Sequence, residues 1–511
     1  MDKELRRLGA LIAIVILVAA ACTSSTTPSA SGVAPGASSS GEPAASDGNE
    51  PSAEATPALT AIPGTGSAAK PGDVEIRWYC CLGTGDAPEQ VAVEEQVAEA
   101  FNAANPGIHL RFEGYPYQLA RDALSVQLGS GAGPDIVGPV GIGGAEAFHG
   151  QWLDLTDLIK NNNYDLNQYS TGSVDFYKIS GEGQQAIPFA IYPSFLWYQK
   201  DMFEEAGLDA PPHKYGDKYK MPDGSEVDWN YDTIKKIGLL LTVDKNGKDA
   251  TDPAFDPKHI VQYGFEPQRD DARGWGAFFG AGQLAGGADG KTVQIPQPWQ
   301  DAWKWAYDGM WNNTSKFIMT GPVFNSNEFN GGGYSFCSGK VAMQVNFLWS
   351  KYCLVPEKPG AKAPAGSNWD IATAPSNNGK VTAVFNADTF RIMKQSKHPQ
   401  EAFEALTYLL GQGSTELLNA YGGMPARSAD QDQFFTAINK DFPQNPDWQV
   451  AKDSVQYADN PNFEAYMPAY NESLDRIGTF WTKLTATAGV NVDAEITKLQ
   501  TDLQAIWNKK K

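Results

Sequence analysis

The sequence is poor in the residues that most chemistry at neutral pH needs. Five histidines occur in 511 residues, and there is no Gly-x-Ser-x-Gly elbow, no His-Glu-x-x-His pair and no Cys-His constellation, so the common nucleophilic and zinc hydrolases leave no signature. Positive charge is scarce too. Lys and Arg number 40 against 60 Asp and Glu, a net charge of −20 with the acids spread along the chain; nucleic acid, which needs a basic footprint, is excluded as a partner, and the charge favours solubility. Gly83-Thr84-Gly85 is followed by no Gly-Lys-Ser/Thr and lacks GxGxxG spacing, so a phosphate cradle is not expected. Asp244, Asn246 and Asp249 fail the calcium-loop spacing, since Lys248 and Phe255 stand where ligands belong. No cofactor and no metal are expected.

What is present suits an exported binding module. A content of 42% hydrophobic residues is enough for two or three domains with buried cores. Lys3, Arg6 and Arg7, the apolar run Leu11 to Val18 and Ala19-Ala20-Ala21 before Cys22 form the pattern of an export signal, the run being too short to span a membrane comfortably. Small residues directly before Cys22 resemble the lipobox of bacterial lipoproteins, which implies lipidation at Cys22; a plain signal with an incidental cysteine is the alternative. Residues 23–72, mostly Ser, Ala, Pro, Gly and Thr, are expected to be a disordered linker with a reach of roughly 40 Å. Four cysteines remain. Three pairings are open; Cys337 with Cys353 is preferred, leaving the adjacent Cys80 and Cys81 joined to each other or reduced.

Beyond the linker the pattern alternates. Val74 to Cys81, Ile108 to Phe112 and Asp135 to Val137 read as strands, and Val91 to Ala104 and Tyr117 to Leu128 as helices, which predicts a parallel sheet with right-handed crossovers. Ligands in such sheets lie beyond the carboxyl ends of the strands. The loops Cys81 to Gly85, with Thr84, Gly114 to Tyr117 and Gly138 to Gly144 are therefore candidate ligand walls. Leu196, Trp197 and Tyr198 form a strand bounded by Pro188 and Pro193, Met202 to Ala206 a short helix stopped by Gly207. Further predicted elements are a helix over Pro298 to Trp311, a strand around Val341 to Val345, a strand over Thr382 to Met393 interrupted at Asn386-Ala387-Asp388, and helices after Pro399 and over Val492 to Trp507.

The order of strand, aromatic turn, helix and Pro-Pro over Ile187 to Pro212 resembles the segment in which extracellular solute-binding proteins of family 1 leave their first lobe. Phe329, Gly339-Lys340-Val341-Ala342-Met343 and Trp349 resemble a second signature segment, and Gly422-Gly423-Met424-Pro425-Ala426-Arg427 resembles the family's later Pro-x-Arg turn. Asn386-Ala387-Asp388 stands where members often carry a Gly-Gly-Trp type turn, so a stacking Trp is not carried over. The resemblance implies an α/β fold of type II periplasmic-binding-protein (Venus flytrap) architecture, each lobe a mixed or parallel sheet flanked by helices. Expected boundaries are 1–22 signal, 23–72 linker, 73–190 first lobe, 191–384 second lobe and 385–511 return to the first lobe with C-terminal helices.

It also implies a monomer on the outer face of the cytoplasmic membrane, held there by a lipid anchor, that passes a carbohydrate to the permease subunits of an ABC importer. A sugar presents apolar faces for aromatic planes and hydroxyls that must find partners. Tyr115, Tyr192, Trp275 and Trp349 are the stacking candidates; Thr84, Asp135, Asn346, Asn386, Asp388 and Arg427 are the polar ones. Ordinary packing explains each of them singly as well. A lipid-anchored glycoside hydrolase, drawing two carboxylates from Asp135, Asp154, Glu266 and Asp388, and a ligand-sensing lipoprotein without a transporter are the alternatives. Tyr192 is expected at the turn where the lobes meet, Trp197 and Tyr198 in the second-lobe core.

Overall fold

The alternating pattern after residue 73 is realised as a parallel ribbon. Strand β1 (Val74–Tyr79) pairs in parallel with β2 (Ile108–Glu113) and β3 (Ile136–Val140), through crossover helices α1 (Pro88–Ala104) and α2 (Tyr117–Gly129). The structure is a computed structural model describing residues 60–509, except 65, 171, 180, 268–271, 281, 283–290, 331–334, 355–367, 443 and 460–466. The chain divides into Met1–Thr60 and a unit running from Ala61 to Lys511, and the second is described here. The expected export signal, Cys22 and linker residues up to 59 lie outside the described residues. The last part of the expected linker makes specific bonds: Ile62 N donates to Gly114 O at 2.8 Å, and Ser67 bonds Glu99 through both its amide and its hydroxyl.

Strand β4 (Ile187–Gln199) runs thirteen residues, every one buried. Its first part pairs antiparallel with β8 (Phe385–Ile392) and β9 (Met424–Pro425). The second part pairs antiparallel with β6 (Met343–Phe347) and β7 (Trp369–Ala372), and β5 (Glu266–Pro267) adds to β6 in parallel. One nine-stranded sheet results, with the path β5-β6-β4-β8-β3-β1-β2.

Pro188 and Pro193 were expected to bound this strand, yet it passes through both. Each lies where the ladder is already interrupted: the partner register shifts between Asp388 and Thr389 beside Pro188, and Pro193 stands where β8 gives way to β6 as neighbour. A missing N–H costs least at such points. Tyr192 is accordingly within the strand, opposite Asn386, rather than in a turn. The shift at Asp388 is also why Asn386-Ala387-Asp388 bends β8 without ending it. Beyond β4, α3 (Lys200–Ala206) ends at Gly207 with φ +66°, the left-handed cap that glycine adopts without penalty.

The return to the first part of the sheet covers β8, α6 (Pro399–Leu410) and β9, after which the chain crosses again. Phe442 and Trp448 pack edge-on to Trp369, and Phe435 stacks on Trp448 at 5.5 Å. Helices α7 (Tyr470–Ala486) and α8 (Val492–Asn508) lie on α5 (Gln297–Trp311), with Phe480 4.7 Å from Trp303 and Gln504 Oε1 accepting from Val293 N at 2.8 Å. The terminal helices thus pack on the Trp-rich face of α5, while Asn471 at the start of α7 accepts from Arg121 of α2. Disulfides join Cys80 to Cys81 and Cys337 to Cys353.

Trp197 anchors the second half: fully buried, it lies 5.0 to 6.5 Å from the rings of Trp369, Phe195, Phe336 and Trp448 and donates its indole N–H to Asn346 O at 3.3 Å. Trp197→Ala is expected to cost about 3–5 kcal/mol, read as a lowered urea midpoint with an unchanged denaturant slope. A loss under about 1 kcal/mol would contradict this packing.

Candidate ligand-binding site

The carboxyl ends of β1, β3 and β6 converge on the region where β4 and β8 lie side by side, and Asp388 is at the centre. Its carboxylate faces the backbone of two loops: a methyl group placed on Gly83 would lie 3.1 Å from Asp388 Oδ1 and 2.9 Å from Gly141 N, and one on Gly141 would lie 3.2 Å from the same oxygen. A side chain at 83 would force the two loops apart, and one at 141 would crowd the carboxylate. The Tyr192 hydroxyl donates to Asp388, pulling its pKa down, but burial outweighs this and pushes the carboxyl up to about 7. Gly423, beside β9, is held to glycine for a similar reason, since a methyl there would meet Tyr192 Oη and Ala190 Cβ at 2.6 Å.

Aromatic surface adjoins the acid. Trp349, half-buried just after β6, lies 4.2 Å from Phe347 and 5.3 Å from Tyr192, tilted by 54° to the latter. Asn386 is directly across from Tyr192 on β8. Asn346, buried on β6, accepts from Phe347 N at 2.8 Å through its Oδ1, and its Nδ2 donor finds no partner among the described residues. Thr84 Oγ1 accepts from Gln90 Nε2 at 3.2 Å. Tyr115, at the carboxyl end of β2, stacks on Tyr79 at 4.9 Å and receives Gln127 Nε2 at 3.2 Å.

Three candidates are placed elsewhere. Asp135 precedes β3, at the amino end of the strands, where it accepts from Arg77 N at 3.0 Å and Ser396 Oγ at 2.6 Å; it braces the sheet. Trp275 is 1% exposed and packs on Trp481 at 5.2 Å, a core position on its helix. Arg427 follows β9 away from Tyr192, bridging to Tyr169 and meeting Asp430 at 3.6 Å.

One pair was not anticipated. Glu94 is fully buried beneath the Cys80–Gly85 loop, bonded by the Tyr421 hydroxyl. Burial pushes it up to about 8 despite that bond. A methyl on Gly85 would collide with Glu94 Oε1 and with the Cys80 sulfur, so acid and disulfide together support the loop. The signal was present in the sequence: Glu94 falls on the stripe Val91, Val97, Ala98 and Phe101 that α1 buries, where a carboxylate is out of place. The sulfurs of Cys80 and Cys81 lie within 4.8 Å of a Glu94 oxygen, but they are bonded to each other and offer no thiolate to a metal.

Residues 85–416 match the family described as bacterial extracellular solute-binding protein. The chain belongs to that family. Among solved structures of the same fold, the sugar-binding protein MalE from Xanthomonas citri aligns with a TM-score of 0.62 at 16% identity, covering 86% of this chain and 98% of that one. An ABC substrate-binding protein of Listeria monocytogenes in complex with cycloalternan gives 0.60 at 16%, covering 86% and 98%, and a solute-binding protein of Agrobacterium radiobacter K84 in complex with ribitol gives 0.60 at 19%, covering 85% and 100%. The fold is thus the two-lobed type II one, with β4 and β8 as crossing strands. A protein of Brucella abortus (strain 2308) named as a binding protein is 32% identical over 126 residues. That match spans 23% of this chain and 28% of the relative's length.

The raised carboxyls fix a pH dependence. A group with a raised folded pKa keeps its proton longer in the folded than in the unfolded state, so Asp388 contributes fully below its ordinary 3.8 and loses that contribution as pH rises to about 7. Melting temperature should therefore decline across this window, and less steeply in Asp388→Asn. Identical slopes for the two proteins would contradict the burial of this acid.

Proposed function

We propose that the protein captures an extracellular carbohydrate or polyol, a mono- or oligosaccharide being the favoured ligand, and delivers it to the transmembrane subunits of an ABC permease. The observation that carries this is the pairing of a buried acceptor, Asp388, with the tilted aromatic pair Tyr192 and Trp349. An acid desolvated beside aromatic planes suits hydroxyls on an apolar ring, and unpaired buried polar groups cost about 1–3 kcal/mol each. Sugar-binding and polyol-binding proteins among the structural relatives support the same ligand class. The protein acts as a monomer, tethered through a lipidated Cys22 to the outer face of the cytoplasmic membrane.

Binding makes and breaks no covalent bond. The ligand contacts the first-lobe loops and the end of β6 together only when the lobes close, so it favours the closed form by its difference in affinity for the two states. The hydrolase alternative needs a second carboxylate free for chemistry. Asp135, Asp154 and Glu266 are instead committed to backbone amides: Arg77, Thr156 and Gln184, and Met319 respectively.

Thermal shift against a panel of neutral sugars and polyols tests this. A cognate sugar at 100 times its Kd is expected to stabilise by about 2.7 kcal/mol, and Trp349→Ala to weaken binding at least about tenfold, 1.4 kcal/mol. Tyr192→Phe, which keeps the buried ring but takes the donor from Asp388, should weaken it at a stability cost of about 1–3 kcal/mol. If only amino acids or peptides shift the melt, the ligand class is wrong; hydrolysis of a glycoside that is lost in Asp388→Asn would overturn the non-enzymatic reading.

A further inference from the structure

The chain reaches β1 by an indirect route. Upstream of Val74, Asp73 and Lys70 close a turn, Asp73 N donating to Lys70 O at 3.1 Å and Lys70 N to Asp73 Oδ2 at 3.2 Å. The residues before this turn lie along α1. Ser67 donates to Glu99 through its amide at 2.7 Å and its hydroxyl at 2.9 Å. A methyl placed on Gly66 would lie 3.5 Å from Glu99 Oε1, and one on Gly64 3.4 Å from Glu95 Oε1. Ile62 N then donates to Gly114 O at 2.8 Å, directly after β2.

The order of these contacts fixes the direction of the path. Helix α1 carries the chain from the carboxyl end of β1 back to the amino end of β2, so Glu99, late in the helix, marks the amino side of the sheet and Gly114 marks the carboxyl side. Glu95 and Glu99 share one face of α1. Residues 61–64, 66 and 67 therefore cross the lobe beside α1, and the chain comes onto it on the side of the ligand loops rather than where β1 begins.

At that entry point they meet a candidate ligand wall. In the loop Gly114 to Tyr117, Tyr115 N donates to Cys80 O at 3.1 Å and Tyr117 N to Asp86 Oδ2 at 2.9 Å, both acceptors lying after β1. Ile62 adds a support from outside either loop. Its Cδ1 would be 3.2 Å from a methyl on Gly114, which is buried. The loop displays Tyr115, half-buried on Tyr79, and Tyr117, which is 56% exposed; an open aromatic at a strand end can offer its face to an apolar ring. At the far end, the Ser67 amide and hydroxyl hold the Glu99 carboxyl below its ordinary range, as bonds to an ionised acceptor do.

We propose that this stretch is a strap that sets the first-lobe ligand wall: anchored on Glu99, it presents the Ile62 amide to Gly114 O and so holds Tyr115 and Tyr117 where a ligand meets them. Ile62 and Ser67 are positioning residues and touch no ligand themselves. The proposal rests on the reading of the inter-lobe site as the ligand site, and it extends the machinery of that site into a stretch whose composition reads as linker.

Hydrogen exchange on the ligand-free protein, together with calorimetric titration of maltose and of ribitol, tests it in the wild type, Ile62→Pro, which removes the N–H, Ser67→Ala, which removes one anchoring bond, and Ile62→Val, which keeps both amide and apolar cover. In the wild type the Ile62 and Ser67 amides should exchange at least about tenfold more slowly than in an unstructured chain. In Ile62→Pro the Tyr115 and Tyr117 amides should exchange at least about fivefold faster, while α4 (Tyr231–Leu241), in the second lobe, is unmoved. A sugar that binds the wild type should bind Ile62→Pro at least about fivefold more weakly, with Ser67→Ala between the two and Ile62→Val equal to wild type. An unprotected Ile62 amide in the wild type, or unchanged exchange at Tyr115 and Tyr117 in Ile62→Pro, would overturn the strap. Wild-type affinity in Ile62→Pro would overturn its part in binding. Failure of both sugars to bind the wild type would count against the ligand reading alone, and the exchange rates would still decide the strap.

Discussion

Strand β4 is the constraint on which the molecule depends. Its backbone serves two ladders in succession, β8 and β9 along one part and β6 and β7 along the other, and no side chain on it reaches solvent freely. Both lobes therefore share one piece of covalent backbone, and the handover at Pro193 is the point where neither ladder claims an N–H. A strand that changes partners at a proline gives a natural place for the lobes to turn without breaking a hydrogen bond.

The site inherits its character from that geometry. Because the parallel strands of the first lobe and the inward-running strands of the second all end at this junction, loops rather than side chains crowd around Asp388, and glycine at 83 and 141 is what permits the crowding. Two acids lie beneath the loops, Asp388 and Glu94, both pushed upward by burial and both restrained by a tyrosine hydroxyl. Neither has a cationic partner among the described contacts that would hold it ionised.

Much of this could be read from the residues, and the exceptions have physical causes. The parallel ribbon of the first lobe and the Gly207 cap followed from periodicity and stop signals; of the disulfides, Cys337–Cys353 was the preferred pairing, while Cys80–Cys81 was left open between joined and reduced. The extent of β4 did not, because proline rules describe a strand with one pair of partners, and here the partners change. Tyr192, Trp349 and Asp388 come together in the fold. Asp135, Trp275 and Arg427 do not, since residue type marks a group as able to contact a ligand but not which end of a strand it occupies. Glu94 was overlooked because the helix was read for its apolar stripe rather than for the acid interrupting it. The packing of Trp448 on Trp369 and of the terminal helices on α5 lies in contacts between distant segments that no local pattern records.

The central claim is that ligand sits between two walls joined by β4, and hydrogen exchange with and without a saturating sugar tests it most directly. The account predicts added protection on both sides at once, at Leu82–Gly85 and Gly141 in the first lobe and at Phe347–Trp349 in the second. Protection confined to one of these walls would contradict it.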